Sequence, residues 1–320
     1  MTKCMYAMAQ DDPNPLRRPV ANRLPLNIAH RGARAFAPEN TLPAVEKAQS
    51  LGCEMVELDV QLSKDGVPVV HHDDQLTRCT DVRQRHPGRT SYFVSDFAWD
   101  ELRQLDAGSW YVDQLSLRHD LRDTFLQSLT DAETDQFVHA RERDFFASGE
   151  VHVPSLQQIL NLVSSSKMLV NIELKNLPRL YPELATVVVN LVEAEGLEER
   201  VLISSFDHEL LKVVRQRSRN IATGVLTHSR LACTPEYLKL LDADAYHPGC
   251  NGEFDSLGFG SISGELDSRG IAELRVCGYG VNVWVCNDKE QMRKLVAAGV
   301  TGIFSDFPNR VNDVLRELQS

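Results

Sequence analysis

Short apolar runs rich in Val and Ile recur from residue 26 onward, and most are separated by segments with a different spacing of apolar residues. The runs Leu26 to Ala29, Met55 to Val60, Val67 to Val70, Met168 to Leu174, Val201 to Ser204, Ala222 to Leu226, Ala243 to Tyr246, Val281 to Cys286 and Gly302 to Phe304 have the length and composition of buried strands. Between them, Thr41 to Leu51, Leu156 to Val163, Pro182 to Glu195, His208 to Arg217 and Lys289 to Ala298 carry helical periodicity. Strand alternating with helix predicts a parallel sheet covered by helices. The candidate strands exceed by one the eight of a closed barrel, and the link Gln61 to Gly66 accounts for the surplus. It is too short for a parallel crossover, and Asp65-Gly66 is a turn signal, so strands near 55–60 and 67–72 should form an antiparallel hairpin. The expected fold is therefore α/β, a TIM (β/α)8-type barrel carrying that hairpin.

The rhythm breaks between Thr80 and Pro154, where charged residues dominate and no strand is evident. A structureless loop of that length is improbable in a compact domain, so residues 112–149 are expected to be an insertion folded as a small, largely helical cap. Residues 1–23 read as a flexible leader, and 24–320 as a single barrel. With 42% hydrophobic residues in 320, the chain can bury a large core. Its net charge of -11 disfavours nucleic acid and anionic membranes, so a phosphate-bearing ligand needs locally concentrated positive charge. No apolar run approaches the ~20 residues of a membrane span, and the opening residues lack the pattern of a signal peptide. The seven scattered cysteines never form C-x-x-C and are read as free thiols, which together predict a cytoplasmic protein without stable membrane insertion.

The densest reactive cluster follows the first strand, where His30 and Arg31 stand at what would be the catalytic end of a barrel. In Val56-Glu57-Leu58-Asp59-Val60 the two carboxylates alternate with apolar residues, so both project to one face. Burying paired like charges is costly unless a cation compensates, and carboxylates without thiolates favour one hard divalent ion, Mg²⁺ or Ca²⁺, with Mn²⁺ as a further candidate. The hairpin sets His72 opposite or next to these acids, while His71 points to the other face. On a third strand Asn171, Glu173 and Lys175 share a face, so Glu173 can complete a three-carboxylate metal site. Lys175 adds positive charge beside Arg31, although Glu173 and Lys175 could instead form a simple salt bridge. A metal with Arg and Lys suits a phosphodiester.

These residues lie in motifs: His30-Arg31-Gly32, Pro38-Glu39-Asn40-Thr41, Glu57-Leu58-Asp59-Val60, Ser63-Lys64-Asp65-Gly66 and the run from His72 to Arg78. Together with Leu105 to Trp110, Val153 to Leu156, Glu173-Leu174-Lys175, Ser204 to Asp207, Val283-Trp284 with Asn287, and Gly302 to Asp306, they resemble the glycerophosphodiester phosphodiesterase family. The resemblance covers nearly the whole chain from residue 26 outside the insertion. It implies a TIM barrel, a divalent metal on Glu57, Asp59 and Glu173, acid/base histidines at His30 and His72, and phosphate contacts from Arg31 and Lys175. It also implies a supporting, substrate-side role for Glu39, whose segment otherwise reads as a helix start. Phe206 and Trp284 are candidates to line the alcohol pocket. The departures are Cys79, Val285-Cys286 and the length of the cap, and none touches an expected ligand.

The expected reaction is hydrolysis of a small glycerophosphodiester to sn-glycerol 3-phosphate and an alcohol, by water or through a cyclic phosphate. Rival readings are a phospholipase C- or D-like lipid phosphodiesterase, disfavoured by the acidic, signal-free chain, and an inactive glycerophosphodiester-binding protein, disfavoured by retention of every metal and acid/base position. An amidohydrolase-type barrel would need a His-x-His pair at the first strand. The loop Gly258 to Gly264 reads as flexible and near the catalytic face, and His86, His119, His139, His152, His208, His228 and His247 read as structural or exposed.

Overall fold

The structure, a computed structural model, describes residues 14–17, 23–228, 231–249 and 268–319. Among these, β1 (Leu26–Ala29), β2 (Met55–Leu62), β3 (Pro68–Val70), β4 (Leu169–Leu174), β5 (Val201–Ser205), β6 (Ala222–Thr227), β7 (Ala245–Pro248), β8 (Gly280–Val283) and β9 (Gly302–Ser305) form one sheet. Every neighbouring pair is parallel except β2 with β3, and β1 pairs with both β2 and β9. Eight parallel strands thus close into a TIM barrel with helices outside, as the alternating pattern predicted. The expected hairpin is present: Val60 faces Val70 and Leu62 faces Pro68 across a turn at Ser63 to Gly66, where Gly66 has φ +83°.

Local chemistry fixes where the outer helices begin. Thr41, Ser155, Asp207 and Asp288 each accept a backbone N–H in the first turn of Leu42–Ser50, Leu156–Ser164, His208–Arg217 and Lys289–Ala298. The outward residues of β2, Val56, Leu58 and Val60, pack with those helices in the main core. Inside the barrel a lower layer of Ile28, Met55, Leu202, Ala222, Ala245 and Phe304 closes the N-terminal end. Above it lie polar pairs, Asn171 with Ser204 and His247 with Asn282.

Some sequence boundaries shift. The run Val281 to Cys286 is strand only to Val283, and beyond it single bonds remain, from the Trp284 N–H to the Pro248 carbonyl and from the Cys286 N–H to the Phe304 carbonyl. The segment expected at 67–72 is strand over Pro68–Val70, although the His71 N–H still donates to the Asp59 carbonyl at 3.0 Å. Part of the leader is not free chain: Leu16 is buried in the lower barrel layer, and the Asn14 side chain donates to the Asn220 carbonyl at 2.7 Å. Apolar burial and a captured amide seal that end of the barrel. Within 112–149 there are only short helices and turns, including Asp131–Phe137 and Ala140–Phe146. This segment docks on the loop after β1 and on the last helix, Pro308–Glu317, through Phe36 against Phe137 at 4.8 Å and Arg310 donating to Glu133 at 2.8 Å. The loop Gly258 to Gly264 lies outside the described residues. Among the described residues, no helix is long and apolar enough to cross a membrane.

Candidate active site

Strands β2 and β4 are neighbours in register, with Glu57 beside Asn171 and Asp59 beside Glu173. Strand alternation turns these side chains into the barrel. Glu57, Asp59 and Glu173 each offer an oxygen within 4.8 Å of the others. Glu57 Oε1 and Asp59 Oδ1 are buried without a hydrogen-bond donor, and Glu173 Oε1 has the Lys175 ammonium in ion-pair contact at 3.0 Å. Lys175 also stands 3.8 Å from Asp59. The salt bridge weighed as an alternative for Glu173 and Lys175 is therefore present, but one ammonium cannot compensate three carboxylates. Burial, Asp59 and Glu173 together push the Glu57 carboxyl well above its usual range. Burial would raise Asp59 too, yet His72, Arg31 and Lys175 hold it well below. Orphaned oxygens with excess negative charge and no thiolate form a donor set that fits one hard divalent cation.

The loop after β1 is shaped to serve this cluster. Arg31 and Gly32 lie consecutively at φ +52° and +80°, and a Cβ on Gly32 would stand 2.5 Å from the Ala44 Cβ, so that position requires glycine. The bend aims the Arg31 N–H at Glu57 Oε2, 2.8 Å away, and the Gly32 N–H at the Glu57 carbonyl, 3.1 Å away. Asn40, also at positive φ, donates its amide to Asp59 Oδ2 at 2.9 Å. The Arg31 Nε is buried, with no hydrogen-bond acceptor and Asp59 Oδ2 at 3.5 Å. This leaves a cationic donor beside the acids for a phosphate oxygen.

Each histidine has its own carboxylate. His30 Nδ1 lies 2.7 Å from Asp306 Oδ1, and Nε2 lies 3.8 Å from Glu57. Burial, with the Arg34 charge, lowers its pKa to about 4, so at neutral pH the ring is uncharged. With Nδ1–H donated to Asp306, Nε2 carries a lone pair. Asp306 also receives Arg34 Nη2 at 3.0 Å and the Asn287 amide at 2.7 Å. His72 Nδ1 is 2.7 Å from Asp73 Oδ1, and Arg78 holds Asp73 Oδ2 at 2.6 Å. His71 is buried and turned to the Gln75 carbonyl at 3.3 Å.

A cleft of about 720 Å³ opens over the cluster. His30, Arg31, Glu57, His72, Glu173 and Lys175 line one end, while Phe206, His228, Trp284, Leu226 and Leu231 line the other. Phe206 stacks on His228 at 4.4 Å, and Trp284 meets Phe206 edge-on at 5.3 Å. The cleft is polar at one end and aromatic at the other, matching a phosphate with an organic substituent. Two expectations change. Glu39 does not line the cleft: its side chain is 2% exposed and both oxygens are taken by Arg31, Arg78 and Arg34. The segment 112–149 contributes no lining residue, because it docks beside the mouth on the β1 loop.

Sequence reading passed over Asp306, Asp73, Arg34, Arg78 and Asn40 as site residues. Asp306 carried a usable signal, since it directly follows β9 at the catalytic end. His228 carried none, because its stacking on Phe206 joins two different loops.

The sequence model of the Glycerophosphoryl diester phosphodiesterase family matches residues 30–310. The chain is 30% identical to a glycerophosphodiester phosphodiesterase of Bacillus altitudinis over 91% of its own length and 98% of the relative's. It is likewise 30% identical, over 91% and 98%, to a glycerophosphodiester phosphodiesterase of Caldanaerobacter subterraneus subsp. tengcongensis. Among solved structures, a phosphodiesterase of Oleispira antarctica in complex with the product sn-glycerol-3-phosphate superposes with TM-score 0.70 at 27% identity, covering 92% of this chain and 97% of that one.

Proposed function

The chain belongs to the glycerophosphoryl diester phosphodiesterase family and is a phosphodiesterase of that class, and from this premise we propose that it cleaves small glycerophosphodiesters to sn-glycerol 3-phosphate and an alcohol by metal-dependent histidine acid/base catalysis. The observation that carries the reading is the convergence of three carboxylates, two of them with undonated buried oxygens, on a point flanked by two carboxylate-bound histidines and two cations.

Glu57, Asp59 and Glu173 would hold the cation, Mg²⁺ or Ca²⁺ with Mn²⁺ as a substitute, which when bound supplies Lewis-acid stabilisation of charge on the phosphate. Arg31 and Lys175 bind the non-bridging oxygens. His30, neutral and oriented through Nδ1 by Asp306, takes the proton of the attacking hydroxyl at Nε2. That hydroxyl belongs to water, or to the substrate's own glycerol, in which case water then opens the cyclic phosphate to glycerol 3-phosphate. The bond from phosphorus to the leaving oxygen breaks, and His72, held by Asp73, gives the departing alkoxide its proton. Phe206 and Trp284, at the aromatic end of the cleft, contact the organic substituent. The unit 24–320 acts as one catalytic domain, with 112–149 as an inserted segment.

The test is release of glycerol 3-phosphate from glycerophosphocholine, with and without EDTA, followed by addition of Mg²⁺, Ca²⁺ or Mn²⁺. Turnover should vanish on chelation and return with a divalent ion. A rate indifferent to EDTA would remove the metal from the reading, and no turnover on any member of a head-group panel would remove the substrate class.

A further inference from the structure

The two histidines are tied to one another by an unbroken chain of hydrogen bonds and ion pairs, of which only the histidines, Arg31 and Arg34 line the cleft. From His72 it runs to Asp73 at 2.7 Å, to Arg78 at 2.6 Å, and to Glu39 at 2.6 Å. Glu39 also binds Arg31 at 2.9 Å and Arg34 at 3.4 Å, and Arg34 grips Asp306, which holds His30 at 2.7 Å. Three guanidiniums face three carboxylates, so the chain is neutral within itself, and Glu39 at its centre is buried. The guanidinium of Arg34 spends its nitrogens on Asp306 and Glu39. Its flat face is covered by Phe125, 4.1 Å from the ring centre. Arg78 is met by Asp123 at 3.8 Å and lies 5.7 Å from the Trp110 ring. The contacts with Asp123 and Phe125 both come from one turn of the segment 112–149, the short helical turn Thr124–Leu126 with Asp123 at its start.

We propose that Glu39 and the Asp123 to Phe125 turn are positioning elements: they clamp Arg34 and Arg78, which hold the two aspartates that orient His30 and His72. The inserted segment thereby sets the geometry of catalysis and not the choice of alcohol. An aromatic face over a guanidinium and a carboxylate against its edge restrict the two arginines without touching the cleft. A planar fork held on three sides transmits its position to the carboxylate it binds in bidentate fashion. This inference rests on the reading of His30 and His72 as the acid/base pair.

The experiment measures kcat and KM of the full chain with Mg²⁺ on a panel of glycerophosphodiesters. Phe125→Leu keeps apolar bulk but removes the π face, Asp123→Asn removes the edge charge, and Glu39→Gln removes the hub. His30→Ala and His72→Ala are run in parallel. Phe125→Leu should lower kcat about tenfold with KM unchanged, and Glu39→Gln, which also releases the phosphate-binding Arg31, should lower kcat about a hundredfold and raise KM, each by the same factor for every head group. If Glu39→Gln does not fold, Phe125→Leu and Asp123→Asn carry the test. Proton NMR should show the downfield Nδ1–H signals of both histidines weakened in the active-site-intact variant Phe125→Leu. Head-group-dependent changes in KM, wild-type kinetics in all three variants, or lowered kcat with both imidazole signals intact would each overturn the proposal. Undiminished turnover in His30→Ala or His72→Ala would instead overturn the acid/base reading beneath it.

Discussion

Replacing Asp306 by Asn isolates what one buried carboxylate does for His30, the base of the proposed mechanism. The carboxylate accepts from His30 Nδ1 at 2.7 Å, from Arg34 Nη2 at 3.0 Å and from the Asn287 amide at 2.7 Å. Burial alone would raise its pKa, but Arg34 and His30 hold it far below the usual range, so it is ionised at any working pH. An Asn amide offers a donor as well as an acceptor, and directed at Nδ1 that donor stabilises the tautomer in which Nε2 carries the proton. The base then has no lone pair toward the cleft. Loss of general-base catalysis with the wrong tautomer corresponds to roughly 10² to 10⁴ in kcat. Stability falls too, because Arg34 loses its bidentate partner while keeping Glu39; the low end of the range for a broken buried pair, about 3 kcal/mol, applies. With an unfolding entropy of about 2.1 cal/mol/K per residue over 320 residues, that is a Tm lower by about 4 to 5 °C. Glycerol 3-phosphate release gives kcat, and thermal unfolding in EDTA gives Tm without ligand linkage. A variant within about fivefold of wild-type kcat would refute the assignment of His30 orientation to Asp306.

Glu57→Gln, Asp59→Asn and Glu173→Gln each remove a charged donor at nearly constant volume, so calorimetric titration with Mg²⁺ or Mn²⁺ should show weaker binding in each; unchanged affinity in one takes that residue out of the site. If His72 protonates the leaving alkoxide, the loss in His72→Ala should shrink on a nitrophenyl phosphodiester, whose leaving group departs without a proton, while His30→Ala stays inactive on both substrates. Equal losses on both would sink the division of labour. His247, fully buried in the barrel interior, has its pKa lowered to about 3 by burial, so below pH 6.5 the unfolded chain binds a proton that the native state refuses. Its contribution is full above pH 6.5 and is lost as pH falls toward 3, at up to about 1.4 kcal/mol per pH unit. Urea unfolding between pH 7 and 5 should show a shallower slope in His247→Asn, and an identical slope would rule the ring out. Gly32→Ala should destabilise by about 1 to 3 kcal/mol or more, since it adds left-handed strain to a Cβ overlap with Ala44, and thermal unfolding reads it directly.

The sequence by itself determined the barrel and the acids of its mouth. Apolar runs of strand length, the two-residue spacing of Glu57 and Asp59, and the same spacing of Asn171 and Glu173 are local facts. Strand alternation converts them into direction without further information. The Asp65-Gly66 turn fixed the antiparallel exception for the same reason, since a short link permits only one geometry. What the sequence left open is whatever depends on which loops meet above the strands. Asp306 reaches His30 because barrel closure sets β9 beside β1, a pairing of residues far apart in the chain. Glu39 reads as part of a helix start, and only packing shows it buried under three arginines and absent from the cleft lining. The segment 112–149 reads as a cap because its charge and broken rhythm mark it as extra. Its docking beside the cleft, with Phe125 on Arg34, follows from apolar contacts such as Phe36 with Phe137, whose register no local pattern encodes. Periodicity fixes the direction of a side chain relative to its own strand, whereas its partners are fixed by closure and packing, which are properties of the folded whole.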